Sequence, residues 1–445
     1  MSEPHTLKTE SAPDLPEGYR LTELGPLPEE WRVVRLGEVV DLVRGISWSK
    51  EEESPNGVPV IAIPNIRQGK VVIDDIHYRI SKRIPEPKQI KLNDILLVGS
   101  SGSVQNIGRV AIVDSLPFQF ATFASFLVKV FPFSVNRWFF LYLLQSPMID
   151  FRVCSKRAAD GKYNLQVRQL SERPIPLPPL PEQRAIAHVL RAVQQAKEAT
   201  ERVIAAAQEL KKSLMRHLFT YGPVPVDAAD RIPMQETEIG PLPEEWRVVR
   251  LGEVVGLRNR IISPADTPES RYVGLEHIDP CQIQIRRFGW AAETRSTKAI
   301  FKRGDILYGK LRPYLDKAAL AEWDGVCSTD ILVLVPKQID MLFAAYMLHS
   351  TYVLEHAIAT TTGVNHPRTS WKALSQALIP LPPLAEQRAI ARILQAVDEK
   401  IRAEEARKEA LEALFKTLLH DLMTARQRLP GEFITQFLEK DAAYD

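Results

Sequence analysis

Cysteine is scarce in this chain: three in 445 residues, Cys154, Cys281 and Cys327, odd in number and widely spaced. Such a set supplies neither a disulfide framework nor a zinc knuckle; it suits a reducing compartment, with thiols buried as small apolar side chains. Long apolar runs are missing too. No stretch of about 18 uncharged apolar residues occurs. Residues 1–10 carry polar and acidic groups where a signal peptide needs an apolar core, so the expected location is cytoplasmic, without membrane contact. The nine histidines show no HExxH or paired metal-ligand spacing, and no metal site is expected. The segment Gly304–Lys310, GDILYGK, has the outline of a phosphate loop. Leu311, however, stands where Ser or Thr should coordinate magnesium, and Arg312 and Pro313 stop the helix that a phosphate needs. No GxGxxG follows a strand, and no aromatic-capped Asn-Pro-Pro or Asp-Pro-Pro tetrapeptide of the amino-methyltransferase kind appears. The carboxylate-x-Lys triplets Glu209–Lys211 and Asp398–Lys400 fall on helical segments and read as solvated surface. These absences argue against catalysis, and no cofactor is expected in this chain.

Charge is nearly balanced, at a formal +2, which argues against a general polyanion binder. Its distribution is uneven. Arg286, Arg287, Arg295, Lys298, Lys302, Arg303, Lys310, Arg312 and Lys317 face only Glu293, Asp305 and Asp316 within one short stretch. A second stretch holds Arg152, Lys156, Arg157, Lys162, Arg168 and Arg173 against Asp160 and Glu172. Each lies in one half of an internal repeat, the pattern of two local basic surfaces.

That repeat is the dominant signal. Gly25–Val40, GPLPEEWRVVRLGEVV, recurs unchanged as Gly240–Val255, an offset of 215. Ile175–Ile186, IPLPPLPEQRAI, recurs with one change as Ile379–Ile390, an offset of 204. Tyr142–Ser146 (YLLQS) and Tyr346–Ser350 (YMLHS) already stand at 204, so the second middle is 11 residues shorter and the difference lies before Tyr142. Fixed ends with diverged middles fit two readers of two different targets.

Each half opens on a short strand (Trp31, Val33, Val34, Leu36; Trp246, Val248, Val249, Leu251) beside a proline-rich turn. Short β-branched and aromatic runs follow, among them Val58–Ile63, Asp94–Val98, Arg109–Val113, Phe123–Val130, Asp305–Tyr308 and Asp330–Val335. They predict a twisted, largely antiparallel sheet with short helices at Arg137–Leu144 and Leu342–Leu348. After the prolines a helical pattern free of Gly and Pro runs from Glu182 to about Thr220, and again from Glu386 to about Thr424. Its stripe passes through Ile186, Leu190, Val193, Ile204, Ala207, Lys211, Leu214 and Leu218 in the first, and Ile390, Leu394, Val397, Ile401, Leu411, Phe415, Leu418 and Leu422 in the second. Helices of roughly 58 Å with a narrow apolar stripe pair as coiled coils, and the intervening domain makes an antiparallel pair the expectation. Lys197, Thr200, Glu404 and Lys408 interrupt the stripe and are candidates for fixing register.

Two variable domains, each ending in PLPPLxEQRxIA at the start of a long helix (Pro176–Ala187, Pro380–Ala391), resemble the specificity subunit of a type I restriction-modification system across nearly the whole chain. The resemblance implies an α+β fold: two repeated mixed α/β target-recognition domains separated by two long antiparallel coiled-coil helices, pseudo-two-fold symmetric and ring-like. It also implies that each domain reads one half of an interrupted double-stranded DNA sequence, with the helices as spacer. The implied partners are two methyltransferase subunits and, in the full enzyme, endonuclease/translocase subunits, which would hold S-adenosylmethionine, ATP and magnesium. The expected division is a tail at 1–24, domains at 25–181 and 240–385, helices at 182–221 and 386–425, a linker at 222–239 and a tail at 426–445. Residues 1–24 are expected near the end of the second helix.

Phosphate contacts from Lys and Arg give such a reader its affinity, and a few loop side chains read base edges. Candidates in the first domain are Arg44, Trp48 and Lys50; Ser101, Ser103, Gln105, Asn106 and Arg109; and Lys162, Tyr163 and Asn164, flanked by Gly99, Gly102 and Gly161. In the second they are Arg258, Asn259 and Arg260; Lys310, Arg312, Tyr314 and Lys317; and Asn365, His366 and Arg368. Two other readings remain open: a self-contained nuclease or methyltransferase with a recognition module, and a structural adaptor that reads no sequence.

Overall fold

The structure, a computed structural model, describes residues 15–438 apart from 68, 75 and 364. Parts of both expected tails, 1–14 and 439–445, lie outside the described residues. The chain forms two compact units, one running to Ala199 and resuming at Lys408, the other Thr200–Arg407.

In the first unit the repeated segments hold one another. Strand Arg32–Arg35 pairs with Pro174–Leu177, so the opening motif zips to the closing one. Pro174 and Pro176 have no N–H to offer, which suits this strand to a two-stranded ribbon. Trp31 is 1% exposed and its indole N–H donates to Glu182 Oε2 at 2.9 Å, beside Arg428 at 3.0 Å. Gln183 accepts from the backbone N–H of Asn136 and donates to the carbonyl of Pro178, both at 2.8 Å. The second unit repeats this. Arg247–Arg250 pairs with Leu378–Leu381, Trp246 donates to Glu386 at 3.0 Å, and Gln387 bridges Asp340 and Pro382 at 2.8 Å. Glu and Gln of the EQR segment are therefore packing residues. Each opening strand is preceded by a hairpin, Tyr19–Thr22 with Gly25–Pro28 and Met234–Thr237 with Gly240–Pro243. Tyr19 donates to the Ala425 carbonyl at 2.8 Å, which seats the described end of the N-terminal segment just past the second long helix.

The first middle holds three mostly antiparallel sheets, of six, four and three strands, and the second holds two, of four and five. The first unit's central sheet runs Val40–Arg44, Leu127–Pro132, Ile95–Val98, Val110–Ile112, Lys70–Val71, Ile66–Arg67. The second's has the first four positions only: Val255–Leu257, Ile331–Pro336, Ile306–Gly309, Ala318–Leu320. The two additional strands lie in the stretch that is longer in the first half. Helices Arg137–Gln145 and Met341–Met347 are capped by the side chains of Asn136 and Asp340. Their buried runs, Phe139–Leu144 and Phe343–Met347, join the opening tryptophans and the long helices in each core, each large apolar side chain contributing about 1.5–3 kcal/mol.

The long helices span Leu180–Tyr221 and Leu384–Met423, roughly 60 Å each. Gly222, with φ +84°, ends the first by returning its N–H to the Leu218 carbonyl. They run antiparallel. In the first unit Glu182 meets Arg428 and Lys197 meets Glu412 at 3.9 Å. In the second Lys211 meets Asp398 at 2.7 Å. This corrects one expectation: of the triplets read as solvated surface, Lys211 and Asp398 are 7% and 5% exposed, because each removes the other's uncompensated charge from the core. Of the stripe's polar interruptions, Thr200 and Glu404 are buried. Among the cysteines, Cys154 and Cys327 are buried as expected, whereas Cys281 is exposed at a left-handed backbone position, φ 58°.

Candidate nucleic-acid interface

The site loops occupy the same topological place in both units. In the first, the chain leaves central strand Ile95–Val98 and forms Ser100–Ser101, which pairs with Tyr163–Leu165; that strand pairs in turn with Ser155–Arg157. In the second, the chain leaves Ile306–Gly309 and pairs Leu311 with Arg368, while the Thr369 N–H bonds to the Lys310 carbonyl at 3.0 Å. Two loops that are far apart in sequence thus meet beside the central sheet, just before the short helix (Val167–Ser171, Trp371–Leu374) that leads to the closing strand.

In the first unit the structure brings together Arg44, Ser101, Ser103, Asn106, Arg109, Tyr163 and Asn164. Arg44 donates to the Leu165 carbonyl at 2.7 Å. The buried Ser101 hydroxyl accepts from the Ser103 N–H and the Asn106 amide, both at 3.2 Å. Arg109 turns inward to the Ile66 carbonyl and to Asn106. Arg157, missed in the sequence except as part of a basic run, lies 5.9 Å from the Tyr163 ring. Ser103, Gln105 and Lys162 remain exposed on the same loops, Lys162 holding Asp160 at 3.4 Å. The hydrogen bond from the Lys162 backbone N–H, with that contact as a smaller contribution, keeps the Asp160 carboxyl below its usual range. Trp48 and Lys50 belong elsewhere. Trp48 donates to Glu53 at 3.1 Å and packs 5.4 Å from Tyr78 beside a separate small core, and Lys50 opens the adjoining 3-10 turn.

In the second unit the loops gather Lys310, Arg312, Tyr314, Asn365, His366 and Arg368. Asp330 organises them: its carboxylate is 3.3 Å from Arg368 and 4.0 Å from Lys310, and its carbonyl receives the Lys310 N–H at 3.0 Å. No sequence signal marked Asp330, whose partners lie 20 and 38 residues away. Arg312 differs from its neighbours. It sits in the left-handed region at φ 53°, its N–H bonds to the Pro367 carbonyl at 2.7 Å, and its exposed guanidinium has no hydrogen-bond or ion-pair partner among the described residues. Two candidates face inward instead. Lys317 donates to the Leu275 carbonyl at 2.7 Å, and Arg258 forms a two-pronged bridge to the buried Asp305 at 2.6 and 2.9 Å, which raises the Arg258 pKa. Asn259 and Arg260 are exposed beside strand Ile261–Ile262.

The class these features define is a duplicated α+β protein, each unit carrying one loop site beside a central sheet, with both long antiparallel helices running from one unit into the other. The type I restriction modification DNA specificity domain family matches the chain twice, at residues 28–209 and 243–413, and the chain belongs to that family. It is 24% identical over 425 residues to the type I restriction enzyme MjaVIII specificity subunit of Methanocaldococcus jannaschii, covering 91% of this chain and 94% of that one. It is also 24% identical over 409 residues to the type I restriction enzyme StySPI specificity subunit of Salmonella potsdam, covering 83% and 82%. A crystal structure of a type I restriction-modification S subunit from M. genitalium superposes with TM-score 0.56 at 18% identity, covering 88% of this chain and 96% of the other, a likeness of fold. The chain is thus a specificity subunit with two target-recognition domains, and recognition of DNA sequence is its role. No helix among the described residues is long and apolar enough to cross a membrane.

Proposed function

We propose that residues 25–181 and 240–385 each read one half of an interrupted double-stranded DNA site through the loops described above. The helices at 182–221 and 386–425 would set the unread spacer. The single observation that supports this most is Arg312: an exposed guanidinium with no partner among the described residues, held in a sparsely populated backbone conformation where two loops of its unit meet. Backbone strain of about 1–3 kcal/mol persists where function uses it, and a free guanidinium is the side chain best shaped to grip guanine in the major groove. Lys310 and Arg368, steadied by Asp330, suit phosphate contacts.

Methylation and cleavage would reside in partner subunits that carry S-adenosylmethionine, ATP and magnesium: two methyltransferase subunits, with endonuclease/translocase subunits in the full complex, in the cytoplasm. Two equivalent clefts of about 590 and 600 Å³ support docking of two copies of one partner. They are lined at the repeated motifs, by Arg32, Pro179, Leu180 and Gln183 in one and by Arg247, Pro383, Leu384 and Gln387 in the other. Leu180 and Leu384 are 42% and 48% exposed, an apolar rim kept at the same position in both halves.

The test is to co-express the chain with its methyltransferase partner in a methylation-free host and map modified bases across the genome. A split motif is expected, and replacing residues 41–174 with another domain should change one half of it alone. A continuous motif would remove the spacer role, and an assembled complex with no modification would favour the adaptor.

A further inference from the structure

The two units place the same tyrosine against different neighbours. Tyr142 and Tyr346 are equivalent in the repeat, 204 residues apart, and at the same offset Phe415 corresponds to Lys211 and Gln194 to Asp398. In the first unit Tyr142, 3% exposed, meets the Phe415 ring edge-on at 5.8 Å. Gln194 donates to Glu198, which also holds Lys70, both at 2.9 Å. In the second unit the same space contains ions. The Lys211 ammonium lies 2.7 Å from Asp398, donates to the Cys281 carbonyl at 3.1 Å and stands 5.5 Å from the Tyr346 ring; the Tyr346 hydroxyl donates to Asp398 at 2.8 Å.

A duplicated chain has a hazard that a unique one lacks. Both long helices begin on nearly the same motif, and both units end in the same ribbon, so a first helix could pair with the first helix of another copy. Misassembly of this kind is the characteristic failure of repeat proteins. In such a pairing Lys211 would arrive where Phe415 stands, among Tyr142 and Gln194, with Glu198 already engaged by Lys70. Two second helices would bring Phe415 against Tyr346 and leave Asp398 buried with the Tyr346 hydroxyl but without Lys211; Arg402, one turn further along the same helix, faces Glu399 at 4.0 Å. Either arrangement leaves a charge in the core without its counter-ion, which is far more damaging than replacing a whole buried pair by apolar groups.

We propose that these two clusters make the helix halves non-interchangeable, so that the first long helix accepts the second and neither accepts its like from another copy of this chain. The aromatic pair and the ion pair are two solutions of the same geometry, and their difference is what carries the discrimination. A single buried polar group that fixes pairing in coiled coils works by the same logic.

The test uses the full chain and no DNA, so its outcome is independent of the reading function. In Cys281→Ser chains, Val203→Cys serves as reporter: two first helices paired in this register would meet halfway between Gln194 and Lys211, at Arg202 and Val203. The chains are refolded from denaturant at low and high concentration and treated with a short bis-maleimide linker. Lys211→Phe and Asp398→Gln singly should each lower the folded-to-unfolded ratio by roughly hundredfold. The double variant, which copies the first unit's solution, should regain most of that ratio and raise cross-linked dimer at least about tenfold over the parent chain. Phe415→Lys with Gln194→Asp makes both ends ionic and should raise dimer likewise, which keeps the test open should one double variant fail to fold. Double variants that fold and give no more cross-linked dimer than the parent, or single variants as stable as the parent, would overturn the proposal.

Discussion

Arginine has opposite roles at two of the residues read from the sequence as DNA contacts. The Arg312 guanidinium has no hydrogen-bond or ion-pair partner among the described residues, and the residue sits at φ 53°. Removing its side chain should weaken binding to the second half-site by about 1–3 kcal/mol, or roughly fivefold to 150-fold, without altering affinity for the first. Arg312→Gly separates the two consequences of this position: glycine adopts left-handed φ freely, so unfolding should shift toward greater stability by up to about 1 kcal/mol while binding still falls. A titration with a cognate duplex and a denaturant curve on one preparation decide both; unchanged affinity removes Arg312 from the interface. Arg258 is the reverse. Its guanidinium is 24% exposed and bridges Asp305, which is 4% exposed and also accepts the Lys302 N–H at 2.7 Å. Arg258→Ala leaves that carboxylate buried without a cation and should destabilise the second unit by about 2–4 kcal/mol, with DNA affinity per folded molecule intact. The sequence presented both as basic residues in loops. Only the partner 47 residues away distinguishes them, and pairings at that range leave no local pattern. The same holds for Trp48, whose ring is committed to Tyr78, and for Lys317, committed to the Leu275 carbonyl.

At the scale of elements the long helices were legible because their 3.6-residue stripe is long and uninterrupted by Gly or Pro; the short helices, expected at Arg137–Leu144 and Leu342–Leu348, prove to be buried runs capped by Asn136 and Asp340. The meaning of the repeated motifs was not legible. Nothing in EQR itself says that its Glu satisfies an indole N–H and its Gln the N–H of a helix-capping residue, as they do in both units. This makes Trp246→Phe a specific test. The substitution preserves most of the buried area and removes the bond to Glu386, so thermal unfolding should register a loss of about 1–2 kcal/mol. Trp31→Phe should cost less, because Glu182 keeps Arg428 at 3.0 Å, whereas no other partner of Glu386 is seen among the described residues. Equal losses at both tryptophans would show that packing rather than the hydrogen bond dominates. Lys211 and Asp398 show the opposite limit of sequence reading: periodicity placed Lys211 on the stripe, but nothing in the pattern paired it with Asp398 on the other helix.

For the whole molecule, what the helices contribute is a register as well as a length. Lys197 with Glu412 and Lys211 with Asp398 fix that register at two points along the same pair of helices. Seven residues inserted in the first helix between Lys197 and Lys211 return the stripe to its face but displace one of these pairs by about 10 Å. That chain should fold poorly, because Lys211 and Asp398 lose each other. A matched insertion of seven residues between Asp398 and Glu412 of the second helix restores both pairs, and the doubly lengthened chain should recover the parent's unfolding midpoint to within a few degrees. If helix length sets the spacer, the added 10.5 Å or so corresponds to about three base-pair steps of 3.4 Å. The methylated motif of the assembled complex should then keep both half-sites and widen its unread interval by about that number. A motif that keeps its original spacing in a stably folded, doubly lengthened chain would show that the interval is set within the recognition units and not by the helices.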